Sequence, residues 1–250
     1  MFPELAADPD LRVRPLAYVD DLDQPRLGDG DHHHLQRALR VAPGDAITVS
    51  DGRGRWRTVR FGSGPCPELT LHDGRPGPVH HQPAPERALT VAFAPVKGER
   101  LETVTQRLVE LGVDRIVPVI TERTVVRWDD QRARKQHQRI GVAAREAGMQ
   151  SRRVRLPSVE APVPLAAFLD ANPDAVLADP GGRAPTRADR ILVVGPEGGF
   201  APSELARTDR VVLPGQILRA GTAAVVAGTM LVAIRGGLVT PGEGDATCRG

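Results

Sequence analysis

Two short stretches near the end of the chain limit what it can fold into: Ile191-Leu-Val-Val-Gly-Pro-Glu-Gly-Gly-Phe200 and Val211-Val-Leu-Pro-Gly-Gln-Ile-Leu-Arg-Ala-Gly-Thr222. In each, an apolar run suited to a buried strand passes straight into a turn built from Gly and Pro. Two strand ends that open into glycine loops set bare backbone N–H and C=O groups side by side. That arrangement suits an uncharged heterocycle such as adenine, recognised by main-chain hydrogen bonds and apolar walls. Taken alone, Gly195-Pro-Glu-Gly-Gly199 is more often a plain turn, because Gly supplies positive φ and Pro presets φ. The pair, at this spacing and in this order, favours the ligand reading. No phosphate-cradling Gly-x-x-x-x-Gly-Lys-Ser/Thr or Gly-x-Gly-x-x-Gly follows a strand, so triphosphates and dinucleotides are poor candidates.

The region around these loops alternates strand and helix patterns. Strands are expected at Leu89–Ala94, Arg115–Ile120, Ala175–Ala178, Ile191–Val194 and Val211–Leu213. Between them lie an amphipathic helix over Glu99–Leu111, stopped by Gly112, and a helix over Gln131–Ala147. A short helix follows at Leu165–Asp170, another opens near Pro202, and a closing apolar helix starts near Thr222. Such alternation predicts an α/β fold with a mainly parallel sheet covered on both faces, and ligands off the carboxyl ends of its strands.

Residues 1–75 read differently. Ile47 with Val49, Val59 with Phe61, and Leu69 with Leu71 alternate at period two between Gly-containing turns, which predicts a small β-barrel preceded by a short helix near His34–Arg40. Residues 76–86 lie in a proline-rich stretch without periodicity and read as a linker. Residues 87–240 then form the second domain, and 241–250 a flexible tail.

Composition narrows the function. Hydrophobic residues make up 40% of 250, enough for a sizeable core. No basic start leads into an apolar run of signal-peptide form. The longest apolar run, Ala223–Ile234, is too short to cross a bilayer. Cys66 and Cys248 support neither a disulfide scaffold nor a zinc site, so a reduced, cytoplasmic protein is expected, with no membrane partner and no metal. His32-His33-His34 carries no metal-ligand spacing. The net charge of +2 says little, but residues 131–155 hold eight Arg and Lys against Glu146 alone. That stripe is either a solvated face or the electrostatic footprint of a phosphate backbone. Tyr18 and Trp56 are read as barrel core, with stacking on a base as the alternative.

Several runs of residues together resemble the ribosomal RNA small subunit methyltransferase E family, the 16S rRNA uridine-N3 methyltransferases of the SPOUT superfamily. They are His34-Leu35 with Ala38-Leu39-Arg40, Lys97-Gly98-Glu99-Arg100 with Glu102 and Gln106, and Glu110-Leu111-Gly112-Val113. Further on come Glu122-Arg123, Glu146 with Gln150-Ser151-Arg152, Gly195–Gly199, Leu213-Pro214-Gly215, Ile217-Leu218-Arg219 and Thr222-Ala223. The resemblance implies a PUA-like RNA-binding barrel, a SPOUT-type trefoil-knot domain, S-adenosyl-L-methionine as cofactor, 16S rRNA of the small subunit as partner, and a homodimer. The related readings it leaves open are a knotted enzyme acting on ribose or tRNA, and a non-catalytic ribosome-assembly protein.

By the same resemblance the cofactor pocket is expected from Gly195, Pro196, Glu197, Gly198, Gly199, Leu213, Pro214, Gly215, Ile217, Leu218 and Thr222. Glu197 is also read as structural, capping the next helix or orienting a loop, in preference to proton abstraction. Arg219 and Arg123 are candidates for the chemistry, the alternatives being a surface or dimer-interface salt bridge for Arg219 and a plain surface position for Arg123. Lys97, Arg100, Arg123, Arg152 and Arg153 are candidates for RNA. Where the family often carries an acidic residue flanked by threonines after its Leu-Arg pair, this chain has Ala220-Gly221. A carboxylate role therefore does not transfer to this position.

Overall fold

In a computed structural model, which describes residues 9–68, 76–96, 100–126 and 128–240, the period-two runs of the N-terminal part become paired strands. Strand β1 (Leu16–Tyr18) lies parallel to β2 (Ala46–Ser50). Strand β2 pairs antiparallel with β3 (Arg55–Arg60), and β3 with β4 (His80–His81). One face of this sheet buries Ile47, Val49, Val59 and Phe61 with Ala17 and Leu35, the last from helix α1 (Asp29–Arg37). The other face buries Leu16, Tyr18 and Trp56 with Leu11 and Val154. Trp56 is fully buried and stacks on His80 at 5.3 Å, so Tyr18 and Trp56 are core and not base-stacking platforms. His32 stacks on the Phe61 ring. Glu68 bridges Arg60 where the third predicted strand begins; the rest of that strand lies outside the described residues.

Two expectations about this part change. The segment predicted as a linker carries β4. It also supplies the Gly77 carbonyl, which accepts hydrogen bonds from Nε and Nη2 of the buried Arg57. A buried guanidinium needs acceptors, and this segment provides one. The second change concerns Arg145–Leu156, expected in the second domain. The chain divides into one unit comprising residues up to Glu86 together with Arg145–Leu156, and a second comprising Arg87–Ala144 with Pro157 onward. Hydrogen bonding explains the grouping. Tyr18 Oη donates to the Arg153 carbonyl at 2.5 Å, while Ser50 Oγ (2.8 Å) and Gly54 N (3.1 Å) donate to that of Val154. The N–H of Leu156 donates to Gly52, and Arg145 reaches Asp31 at 2.6 Å with its guanidinium over the Tyr18 ring.

In the second unit the apolar runs align as a wholly parallel sheet, in the order β11-β9-β10-β5-β6-β7. The strands are β5 (Thr90–Phe93), β6 (Arg115–Ile120), β7 (Ser158–Val159), β9 (Val176–Arg183), β10 (Ile191–Val194) and β11 (Arg210–Val211). Strand β8 (Val163–Pro164) also pairs with β6. The helices are α2 (Leu101–Leu111), α3 (Asp130–Gln150), α4 (Leu165–Ala171), α5 (Pro202–Leu205) and α6 (Ala220–Arg235). Helix α2 stops at Gly112, whose φ of 97° is the left-handed cap that Gly tolerates. Helices α2 and α6 pack on each other, and α6 covers β5 and β10. Gly228 of α6 permits that contact, since a Cβ there would lie 2.8 Å from Leu108. Leu165, Phe168 and Leu169 of α4 join Val117, Leu177, Val193 and Phe200 in one apolar cluster.

The strand ends predicted as neighbours are not adjacent. Strand β9 lies between β10 and β11. It is eight residues long, running past the predicted Ala178 through Asp179-Pro180-Gly181-Gly182-Arg183 with a register shift against β11. Gly182 makes the pairing possible: a Cβ there would lie 2.5 Å from backbone atoms of Val211. Beyond this bulge Arg183 forks onto Asp189 at 2.7 and 2.8 Å, and Thr186 adds two bonds to the same carboxylate. Burial pushes the Asp189 carboxyl up. The bonds from Arg183 and Thr186 and the Arg183 charge outweigh it and hold the group below its usual range.

Candidate active site

Parallel strands leave their carboxyl ends on one edge, and registers align Val194 with Phe93 on one side and Ala178 on the other. The turn leaving β10 is set by its own residues. Gly199 N donates to the Pro196 carbonyl at 2.8 Å, and Gly199 holds a φ of 67°. A Cβ on Gly195 would press on the buried Phe200 ring at 3.1 Å. Pro196 is buried, whereas Glu197 and Gly198 are exposed.

A second loop, leaving β6, meets this turn. Arg123 Nη1 donates to the Gly198 carbonyl at 2.8 Å. The loop is closed on itself by Thr121 and Thr124, both buried, whose hydroxyls lie 2.9 Å apart while Thr121 N donates to Thr124 Oγ1. Between the loops sits the Glu204 side chain, only 6% exposed. Its Oε1 accepts from Glu122 N and its Oε2 from Ala201 N, each at 2.8 Å, and Ser203 Oγ donates to the Glu122 carboxylate at 2.6 Å. The helix-capping carboxylate is thus Glu204 and not the predicted Glu197. Pro202 at the first helical position with a Glu two residues on was the available signal, obscured because Ala201 offers no side-chain acceptor.

The loop after β11 has a different character. Gly215 has a φ of 107°, Leu213 and Leu218 are half-buried, Pro214 is exposed and Ile217 is wholly exposed. Among the described residues the backbone of residues 213–218 makes no hydrogen bond. Because α6 lies on β10 and β5, residues 212–219 carry the chain from the β11 side of the sheet to the β10 side. Arg219 caps α6, is exposed and has no side-chain partner among the described residues; Thr222 lies exposed in the first turn. The structure thus brings the 195–199 turn and Arg123 into contact. It sets Leu213–Arg219 at the end of a strand two places away.

The remaining arginines differ in what they are free to do. Arg100 is the exposed N-cap of α2, and Lys97 lies outside the described residues. Arg152, in the first unit, sits at the end of α3 with a φ of 59° and donates through Nη1 to the carbonyl of Met149 at 2.7 Å. Burial lowers its pKa. It serves first as a helix cap. Arg153 Nε donates to the Arg155 carbonyl. The basic stripe of α3 is also partly neutralised, by the pairs Arg139–Glu102 and Arg145–Asp31.

An open parallel sheet with glycine loops on its carboxyl edge, in a chain that also carries a small β-unit, is the architecture of a class of RNA-modifying enzymes. The RNA methyltransferase domain model matches residues 82–232 and the RNA methyltransferase PUA domain model matches residues 27–63, and the chain belongs to the RNA methyltransferase family. Its relatives narrow this to ribosomal RNA small subunit methyltransferase E. The protein of that name from Mycobacterium tuberculosis is 34% identical over 243 residues, covering 86% of this chain and 90% of the relative. The one from Synechocystis is 32% identical over 219 residues, covering 78% and 68%. Among solved structures, a putative methyltransferase from Legionella pneumophila, in complex with bound SAM, superposes with a TM-score of 0.73 at 26% identity, covering 88% and 97%. A ribosomal RNA small subunit methyltransferase E from Neisseria gonorrhoeae, bound to S-adenosyl methionine, gives 0.69 at 28%, covering 88% and 98%.

Proposed function

We propose that this chain methylates N3 of a uridine in the 16S RNA of the small ribosomal subunit, using S-adenosyl-L-methionine. The observation that carries the reading is the carboxyl edge itself. The close-packed Gly195–Phe200 turn lies there, together with a backbone at 213–218 that makes no hydrogen bond among the described residues. That backbone fits an adenosine recognised by main-chain hydrogen bonds, and Leu213, Ile217 and Leu218 supply apolar walls. When bound, the cofactor brings an already activated methyl group, so the chain's task is positioning and charge stabilisation.

Gly195, Gly198, Gly199, Leu213, Gly215, Ile217 and Leu218 hold the cofactor; Arg219 and Arg123 face the uridine and favour its N3-deprotonated form. Both guanidiniums offer planar donors to an anion or a phosphate. Arg100 and Arg153 contact the RNA backbone. The wholly exposed Ile217 beside the half-exposed Leu213 and Leu218 is the surface a second copy covers, giving a homodimer. The protein acts in the cytoplasm, where its substrate is.

The test is incubation with methyl-labelled cofactor and small subunits from cells lacking this activity, followed by mass mapping of the RNA. Label on N3 of one uridine is expected. Label on a ribose, or none in the RNA, refutes the assignment. Sedimentation of Ile217→Asp checks the dimer, with the wild type expected at twice the monomer mass.

A further inference from the structure

The buried Glu204 carboxylate touches both loops meeting at the candidate site. One oxygen accepts from Glu122 N in the β6 loop, adjacent to Arg123. The other accepts from Ala201 N, where the β10 turn ends. Both oxygens accept from backbone donors, and the side chain is buried away from solvent. Two further ties run in parallel, Arg123 to the Gly198 carbonyl and Ser203 to the Glu122 carboxylate. Removing an acceptor from a buried N–H costs far more than an exposed contact would, so the carboxylate dominates the set.

We infer that Glu204 is a positioning residue for methyl transfer: by holding two backbone amides from different loops, it fixes Arg123 relative to the Gly195–Phe200 cofactor turn. The inference rests on the methyltransferase reading above and names a residue that acts through Arg123. A helix cap that served α5 alone would need only the Ala201 bond. The bond to Glu122, 82 positions away in the chain, is the part that capping does not explain.

Glu204→Gln is the informative substitution. Its amide keeps one acceptor but turns an NH2 toward the other backbone donor, with little change of volume. In that variant kcat is expected to fall about tenfold, while calorimetric affinity for S-adenosylmethionine changes less than about threefold, the loss set by one unsatisfied buried donor. In an Arg123→Ala background the same change is expected to cost less than about twofold, because residues acting through one another are not additive. Equal penalties in the two backgrounds overturn the positioning role. Ser203→Ala, on an exposed side chain, is a second variant that leaves the fold untouched; a smaller loss of kcat that also vanishes without Arg123 is expected.

Hydrogen exchange of the protein alone supplies a readout independent of activity. Peptides covering 121–126 and 195–201 are expected to exchange about tenfold faster together in Glu204→Gln. Acceleration confined to the second peptide overturns the bridge. Wild-type protein that leaves small-subunit RNA unlabelled sinks the function while leaving this exchange result to stand or fall by itself.

Discussion

Gly182→Ala tests how the sheet places the loop after β11. The added Cβ would sit 2.5 Å from N and C of Val211 and 2.6 Å from C of Arg210, all backbone atoms that cannot rotate away. Ordinary contact begins near 3.4 Å, so β11 must retreat from β9 by nearly 1 Å. The Val212 N to Arg183 carbonyl bond, now 2.9 Å, would then exceed hydrogen-bonding distance. Overpacking of this kind costs about 1–3 kcal/mol, and the lost bond adds about 1 kcal/mol. A total of about 2–4 kcal/mol lowers the melting temperature by roughly 4–16 °C in a chain of this size. Gly181→Ala is the control, since its Cβ would meet only side-chain atoms of Arg210 and Asp179, at 3.3 Å. Those ends can move, and a loss below about 1 kcal/mol is expected. Calorimetry should show Gly182→Ala melting well below Gly181→Ala, with weaker binding of S-adenosylmethionine as the 213–218 loop shifts. Equal melting temperatures for the two variants would refute the backbone-contact reasoning.

Three other outcomes follow from the same structure. Gly195→Val drives a branched side chain into the Phe200 ring and is expected to weaken cofactor binding more than about tenfold by calorimetry, with the first unit's folding unchanged. Tyr18 is the only tyrosine, and burial raises its pKa, with Arg153 and Arg145 opposing. Its contribution to stability is thus full below the ordinary value near 10 and is lost above it. Ultraviolet titration should show no phenolate until the protein unfolds, and ionisation near pH 10 in the folded state would contradict this. Asp189 is depressed, so its contribution is present above about pH 4 and disappears as pH falls through the lowered folded value. Asp189→Asn should lower stability at neutral pH and flatten its acid dependence, as followed by urea unfolding.

Much of the second unit was legible because its central strands are short and mostly apolar. Arg115–Ile120 and Ile191–Val194 form as predicted, residue for residue. Strand β9 was cut short because Asp179-Pro-Gly-Gly reads as a turn. Its continuation depends on a backbone contact with Val211, which no local pattern encodes. The Gly195–Gly199 turn was visible as a glycine turn closing a strand. Glu204 was not, since a buried carboxylate on a four-residue helix differs from an exposed one only in its long-range partners. Arg152 illustrates the reverse case: its basic surroundings suggested RNA, but a positive φ and a helix end claim part of its guanidinium locally.

The return of Arg145–Leu156 to the N-terminal unit has a practical corollary. A fragment ending at Glu86 would lack Val154, stripping the cover from the Leu11, Leu16, Tyr18 and Trp56 cluster, and would leave the Tyr18 hydroxyl without its carbonyl acceptor and the Ser50 hydroxyl with that of Arg55 alone. The small unit is stitched from two distant pieces of polypeptide. It can be neither excised for separate expression nor exchanged between proteins by a single crossover.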